Sequence, residues 1–199
     1  MAVAGLFESE LISPGIPDDV RVPHLMTIAA SFAARGWTPS YGLGDHGNMS
    51  CRTVEGLVIT ARATKKGQLR PEQFVEVIEL EEPPSRLLLR CRGRFLPSTD
   101  ALLHLRLYRC RPEITAILHG HDPATLARQA SLQLPLTQHS ALRPSLELIE
   151  EVCELATQHD YILLRDHGFI ALGRSLEDGL RLVEAWAIRA TGKDLACEP

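Results

Sequence analysis

The chain has 199 residues, 45% hydrophobic and 23% charged, the balance of a soluble globule with length for a single core. Its net charge of −4 gives no basic footprint for nucleic acid, and no apolar run approaches the ~18 residues of a membrane span. Five cysteines (Cys51, Cys91, Cys110, Cys153 and Cys197), odd in number and without C-x-x-C spacing, read as reduced thiols, and with no basic signal region at the start they predict a cytoplasmic protein.

In chain order, residues 1–17 show little periodicity and read as a flexible arm ahead of one domain over 18–199. Asp18 or Asp19 can cap a helix to Ala34, with Leu25, Ile28, Ala29 and Phe32 as its apolar stripe and Gly36 to stop it. Gly42, Gly44 and Gly47 then fall within six positions, a tight backbone whose amides can hold an anion; His46 among them reads as a rim residue. Residues 57–60 form a short buried strand, and 74–80 and 87–92 two more, with one helical turn at 71–73 between them. Arg62 follows the first of these strands and can grip phosphate or carboxylate bidentately. Arg90, Arg92 and Arg94 alternate, as on one solvated strand face, and Glu81-Glu82-Pro83-Pro84-Ser85 is a surface turn.

The richest stretch is 97–122. Pro97-Ser98-Thr99-Asp100 is a turn in which Ser98 or Thr99 can cap a helix running to Arg111. His104 lies on that helix's packed side and reads as a core histidine. An apolar strand over 114–118 then leads into His119-Gly120-His121. Alternation puts both imidazoles on one face, about 6.6 Å apart along the strand, from which they can meet one metal ion at bonds of about 2.0–2.1 Å. A second apolar strand, 161–165, runs into Asp166-His167-Gly168. Three histidines with no cysteine to close the set have the composition of a catalytic zinc site rather than a structural one, though another divalent transition metal fits the same donors. Asp122-Pro123 begins a helix to about Gln129. Residues 132–143 look irregular and carry Gln138, His139 and Arg143. Ser145 and Ser175 cap the last two helices, to about Gln158 and Ala190.

Taken together, Gly47-Asn48-Met49-Ser50, Lys66-Gly67-Gln68-Leu69-Arg70-Pro71-Glu72, Pro97-Ser98-Thr99-Asp100, Arg111-Pro112-Glu113, His119-Gly120-His121 and Asp166-His167-Gly168 resemble, in order, the class II aldolase/adducin family, which includes fuculose-phosphate aldolase and ribulose-phosphate 4-epimerase. The resemblance implies a single-domain α/β/α sandwich with a central, mainly antiparallel sheet, zinc on His119, His121 and His167, and a homotetramer. It implies a metal-dependent lyase making a retro-aldol cleavage of a small anionic sugar phosphate or related hydroxy-carbonyl compound. Asn48, Ser98 and Thr99, joined by Arg62, would bind the substrate's anionic end, and Asp100 would be the acid/base. The alternatives are a 4-epimerase using the same chemistry and a non-catalytic, adducin-like association module. Three departures stand out: Arg62 replaces a hydroxyl-and-glycine loop, aspartate replaces the aldolases' usual glutamate at 100, and only 45 residues separate His121 from His167.

Overall fold

Period-two alternation along the strands gives a sheet two apolar faces, and each face must be covered. The computed structural model describes residues 6–83, 86–141 and 144–192. In chain order its strands are β1 (Phe7–Ser13), β2 (Asn48–Arg52), β3 (Leu57–Thr60), β4 (Phe74–Glu81), β5 (Leu87–Arg92), β6 (Ala116–Gly120), β7 (Leu136–Ser140), β8 (Tyr161–Arg165) and β9 (Gly168–Gly173). The helices are α1 (Val22–Ala34), α2 (Ala101–Cys110), α3 (Pro123–Ala127), α4 (Gln129–Leu132), α5 (Leu146–Ala156) and α6 (Leu176–Thr191). All the strands join one sheet in the order β1-β5-β4-β3-β2-β6-β9-β8-β7. Only its two edge pairs, β1 on β5 and β7 on β8, are parallel.

The alternation sorts the core into two layers. Ile117, Ile162, Leu164, Ile170 and Leu172 point to the face covered by α2 and α5. Their neighbours Ala116, Leu118, Leu163, Phe169 and Ala171 point to the face covered by α1 and α6. The result is the expected α/β/α sandwich with a mostly antiparallel sheet. Capping follows the residue chemistry: Ser145 Oγ accepts from the Leu148 N–H, and Ser175 Oγ accepts from the Asp178 N–H.

Several expectations change. Residues 7–13 are not a loose arm but an edge strand, because Phe7 is buried and a row of glutamates meets the row of arginines on β5. Glu8 pairs with Arg86 at 2.5 Å and Glu10 with Arg90 at 2.8 Å, while Arg92 reaches Glu55 at 2.8 Å. The segment 132–143, expected to be irregular, contains β7, whose pairing with β8 supplies its backbone partners. The helix after Asp122 breaks into α3 and α4, and the first helix starts at Val22, with Asp19 accepting instead from the Arg21 N–H at 2.9 Å. Neither Ser98 nor Thr99 caps α2: Asp100 is its N-cap, and Ser98 Oγ accepts from the Asp100 N–H at 3.3 Å. Residues 1–5, Pro84-Ser85, Arg143 and Cys197 lie outside the described residues.

Candidate metal centre and its cleft

β6 ends among the apolar residues of both layers, and its last side chain toward α2 is His119, which is 1% exposed. His119 Nδ1 donates to the Phe169 carbonyl at 2.7 Å, which leaves Nε2 as the free lone pair. His121 lies just past the strand, anchored by its N–H to the Trp37 carbonyl at 2.7 Å. His167 sits in the turn between β8 and β9, after Asp166, whose φ of 60° is left-handed. Close backbone approach brings the segments together. A Cβ on Gly168 would stand 2.2 Å from the Gly120 carbonyl oxygen, so only glycine lets the His167 turn meet the end of β6. Gly47, at φ +77°, meets the His119 carbonyl in the same way from the other side.

One potential ligand atom from each of the three histidines lies within 4.8 Å of the others. The His119 and His167 rings stack with centroids 5.1 Å apart, and His121 and His167 are 4.3 Å apart. Burial, reinforced by the neighbouring imidazoles, pushes His119 well below its ordinary pKa and His121 down to about 2; burial also lowers His167. All three are therefore neutral donors at physiological pH. The buried His121 Nε2 has no hydrogen-bond partner among the described residues. Neutral imidazoles converging with an unsatisfied lone pair fit a divalent metal ion.

The cleft above them, about 260 Å3, gathers the residues expected to hold metal, substrate or proton: Asn48, Arg62, Ser98, Thr99, Asp100 and the three histidines. Asp100 Oδ2 is 3.8 Å from His119 Nε2 and accepts from Asn48 Nδ2 at 2.6 Å. Asn48, 3% exposed, thus spends one amide proton on the carboxylate instead of facing solvent.

A family model, the Class II Aldolase and Adducin N-terminal domain, matches residues 23–190. The chain belongs to that family. Its relatives include a methylthioribulose-1-phosphate dehydratase of Methylococcus capsulatus, 30% identical over 200 residues, 84% of this chain and 89% of the relative. A 5-methylthioribulose-1-phosphate/5-deoxyribulose-1-phosphate aldolase of Escherichia coli is 27% identical over 154 residues, 70% of this chain and 68% of the relative. Among solved structures, the L-fuculose-1-phosphate aldolase of Thermus thermophilus superposes with a TM-score of 0.63 at 24% identity, covering 86% of this chain and 88% of that one. The histidine cluster is consistent with the divalent metal site typical of class II aldolases.

Residues with no assigned part in the sequence reading complete the cleft. His46, expected at the rim, is half-buried with its ring 4.8 Å from His121 and 4.9 Å from Tyr41. Lys66 is 2% exposed, and its ammonium donates to the Asp45 and Thr64 carbonyls and to Thr64 Oγ1, tying the glycine-rich segment to the loop after β3. Arg62 in that loop is exposed at the cleft and has no ion pair with a described residue. Leu103, Ala141, Leu148, Ile149, Leu164 and Ile170 give the same cleft an aliphatic lining. Of the polar candidates between His121 and His167, His139 Nδ1 is 2.7 Å from Glu151 and lies outside the cleft.

Proposed function

We propose that this class II aldolase family member is a metal-dependent lyase acting on a small phosphorylated hydroxy-ketone whose far end is apolar, and that it works as a homo-oligomer, a tetramer. The observation that carries this reading is one cleft lined by an exposed arginine that has no ion pair among the described residues, by a set of aliphatic side chains, and by three uncharged imidazoles. The relatives support it: two are named for ketose 1-phosphates with a methylthio or deoxy end, which joins a charged end to an apolar one.

His119, His121 and His167 would hold the cation, zinc in this proposal. When bound there, a divalent ion supplies Lewis-acid polarisation of the substrate carbonyl and the oxygen beside it. Arg62 takes the phosphate with its planar fork, and the Ser98 and Thr99 hydroxyls line the same cleft as further donors. Asp100 handles the proton. Its Oδ2 is held by Asn48, which leaves Oδ1 to serve as the base. In cleavage it takes the proton of the substrate hydroxyl as the C–C bond breaks, and returns it to the carbon left behind. Removal of a carbon-bound proton by the same oxygen leads instead to loss of water, so the products distinguish lyase types. Re-addition with inverted configuration would mark an epimerase. A pure association module has no use for a buried cluster of neutral imidazoles.

Zinc-loaded protein should be assayed with methylthioribulose 1-phosphate, 5-deoxyribulose 1-phosphate, ribulose 1-phosphate and fuculose 1-phosphate. Apolar-ended substrates should lead ribulose 1-phosphate by about 10-fold or more in kcat/KM, because a terminal hydroxyl against the aliphatic lining goes unpaired. Arg62→Ser should raise KM about 10-fold. No turnover of any of the four with zinc bound would sink the reading.

A further inference from the structure

An ammonium donates three hydrogen bonds and accepts none, so a buried lysine fixes the direction of every contact it makes. Lys66 spends all three on one knot. Its Nζ donates to the Asp45 carbonyl at 3.1 Å, to the Thr64 carbonyl at 3.2 Å and to Thr64 Oγ1 at 3.1 Å. Because that hydroxyl oxygen receives from the ammonium, its own proton goes to the Ala61 carbonyl, 3.0 Å away. Two backbone donors repeat the link between the same segments. The Asp45 N–H donates to the Thr64 carbonyl at 3.0 Å, and the Lys66 N–H donates to Asp45 Oδ2 at 2.8 Å.

The knot closes the turn that carries Arg62. Ala63 has a left-handed φ of 54°, and the Thr64 hydroxyl reaches back to Ala61, so Arg62 is bracketed from both sides. On one flank the Arg62 N–H donates to the Leu96 carbonyl at 3.0 Å, and the Ser98 N–H donates to the Thr60 carbonyl at 3.2 Å. Those bonds seat the segment that carries Ser98 and Thr99. On the other flank a Cβ on Gly44 would stand 2.7 Å from Ala63 Cα, so the glycine-rich segment leading into Asn48 lies directly on the turn. Arg62, Ser98, Thr99, Asn48 and Lys66 all line the one cleft. Its three polar segments are thus laced together by hydrogen bonds, and Lys66 is the side chain that ties two of them.

We propose that Lys66 is a positioning residue that acts through Thr64: it locks the Arg62 turn against the glycine-rich segment and so sets where the substrate's anionic end is held. The part given to Arg62 as phosphate ligand rests on the lyase reading above; an anion site locked by Lys66 does not require turnover.

Substitutions at Thr64 separate the hydroxyl from the packing, because valine keeps the branched shape without the oxygen and serine keeps the oxygen without the methyl. In the zinc-loaded protein, Thr64→Val should raise KM for the ketose phosphate turned over about 10-fold, with kcat held within about twofold and zinc content unchanged. Thr64→Ser should stay within about twofold of the wild type in both constants, and Lys66→Met should repeat the rise in KM. Sulfate, a tetrahedral dianion, reads the same site without turnover. By calorimetry its affinity should fall about 10-fold in Thr64→Val and in Arg62→Ser, and hold in Thr64→Ser. Equal losses in the valine and serine variants, a fall in kcat together with zinc content, or unchanged sulfate affinity in Thr64→Val would each overturn the proposal. If the wild type turns over none of the four ketose phosphates, the lyase reading fails and the sulfate affinities alone decide the lock.

Discussion

At the scale of single residues, the three histidines and the carboxylate beside them are the parts on which the chemistry turns. His121 has its Nε2 buried and without a hydrogen-bond partner among the described residues, so its removal takes away a donor that they do not otherwise use. His121→Ala should therefore lose most bound metal by elemental analysis while its thermal midpoint changes little; full metal occupancy in the variant would disprove the ligand assignment. These positions could be read from sequence because each follows a local rule: strand alternation delivers His119, and a glycine marks each close approach. Asn48, Arg62, Ser98, Thr99 and Asp100 could be placed near one another only through the family resemblance, since they come from three separate segments. His46 was read as a rim residue, and Lys66 entered only within a family motif; neither showed its burial locally. A half-buried histidine and a buried lysine look like surface residues until the loops around them are folded.

At the scale of elements, Lys66 ties two loops through carbonyls and a hydroxyl, with no carboxylate in direct contact with its ammonium. Burial pushes its pKa from 10.5 down to about 8, against the smaller opposing pull of Asp45 and Asp100. In the unfolded chain this amine keeps its proton up to the ordinary value. Between the two pKa values the unfolded state therefore binds more protons, and stability rises with pH through that window. Denaturant unfolding of the wild type against Lys66→Met should show the gap moving in the wild type's favour by about 2 kcal/mol from pH 7.5 to pH 9.5. A gap independent of pH would mean that the ammonium is not desolvated. Element boundaries show the same division between local and distant causes. The strands and capped helices of the middle of the chain are legible because alternation and serine caps are local. β1 and β7 were missed because each is a strand only through a parallel neighbour far along the chain. The row of glutamates on β1 was in fact the counterpart of the arginine row on β5. Neither row alone specifies the pairing.

At the scale of the whole molecule, segments next to cleft-lining residues carry exposed apolar groups. Leu43 is 83% exposed, and Phe95 and Leu96 are 41% and 42% exposed beside the loop that holds Arg62. The homo-oligomer proposed above would bury these groups if its interface lies here. Sedimentation of the wild type should give a tetramer, and Leu43→Glu should weaken it and lower activity together; a fully active monomer would rule the arrangement out. The sandwich itself was readable in advance through the family resemblance, and its physical reason is that two apolar faces on one sheet each need a helical layer. The aliphatic lining of the cleft was not readable in advance. Its residues come from α2, α5, β8, β9 and the segment after β7, and in sequence each is one more core aliphatic.

The parallel pairing of β1 with β5 also sets an order of events in time. Phe7 and Leu87 are partners across 80 positions of chain, so the first strand to be synthesised has nothing to pair with until β5 exists. Closing so long a loop is entropically expensive, which places the docking of β1 late, after the antiparallel centre has formed. A strand that joins after the rate-limiting barrier holds the finished molecule shut without hastening its formation. Phe7→Ala should accordingly raise the unfolding rate about 10-fold and leave the refolding rate within about twofold in stopped-flow measurements. The first strand is then the latch on the protein's kinetic lifetime, and a refolding rate that falls as much as unfolding rises would show that it belongs to the nucleus instead.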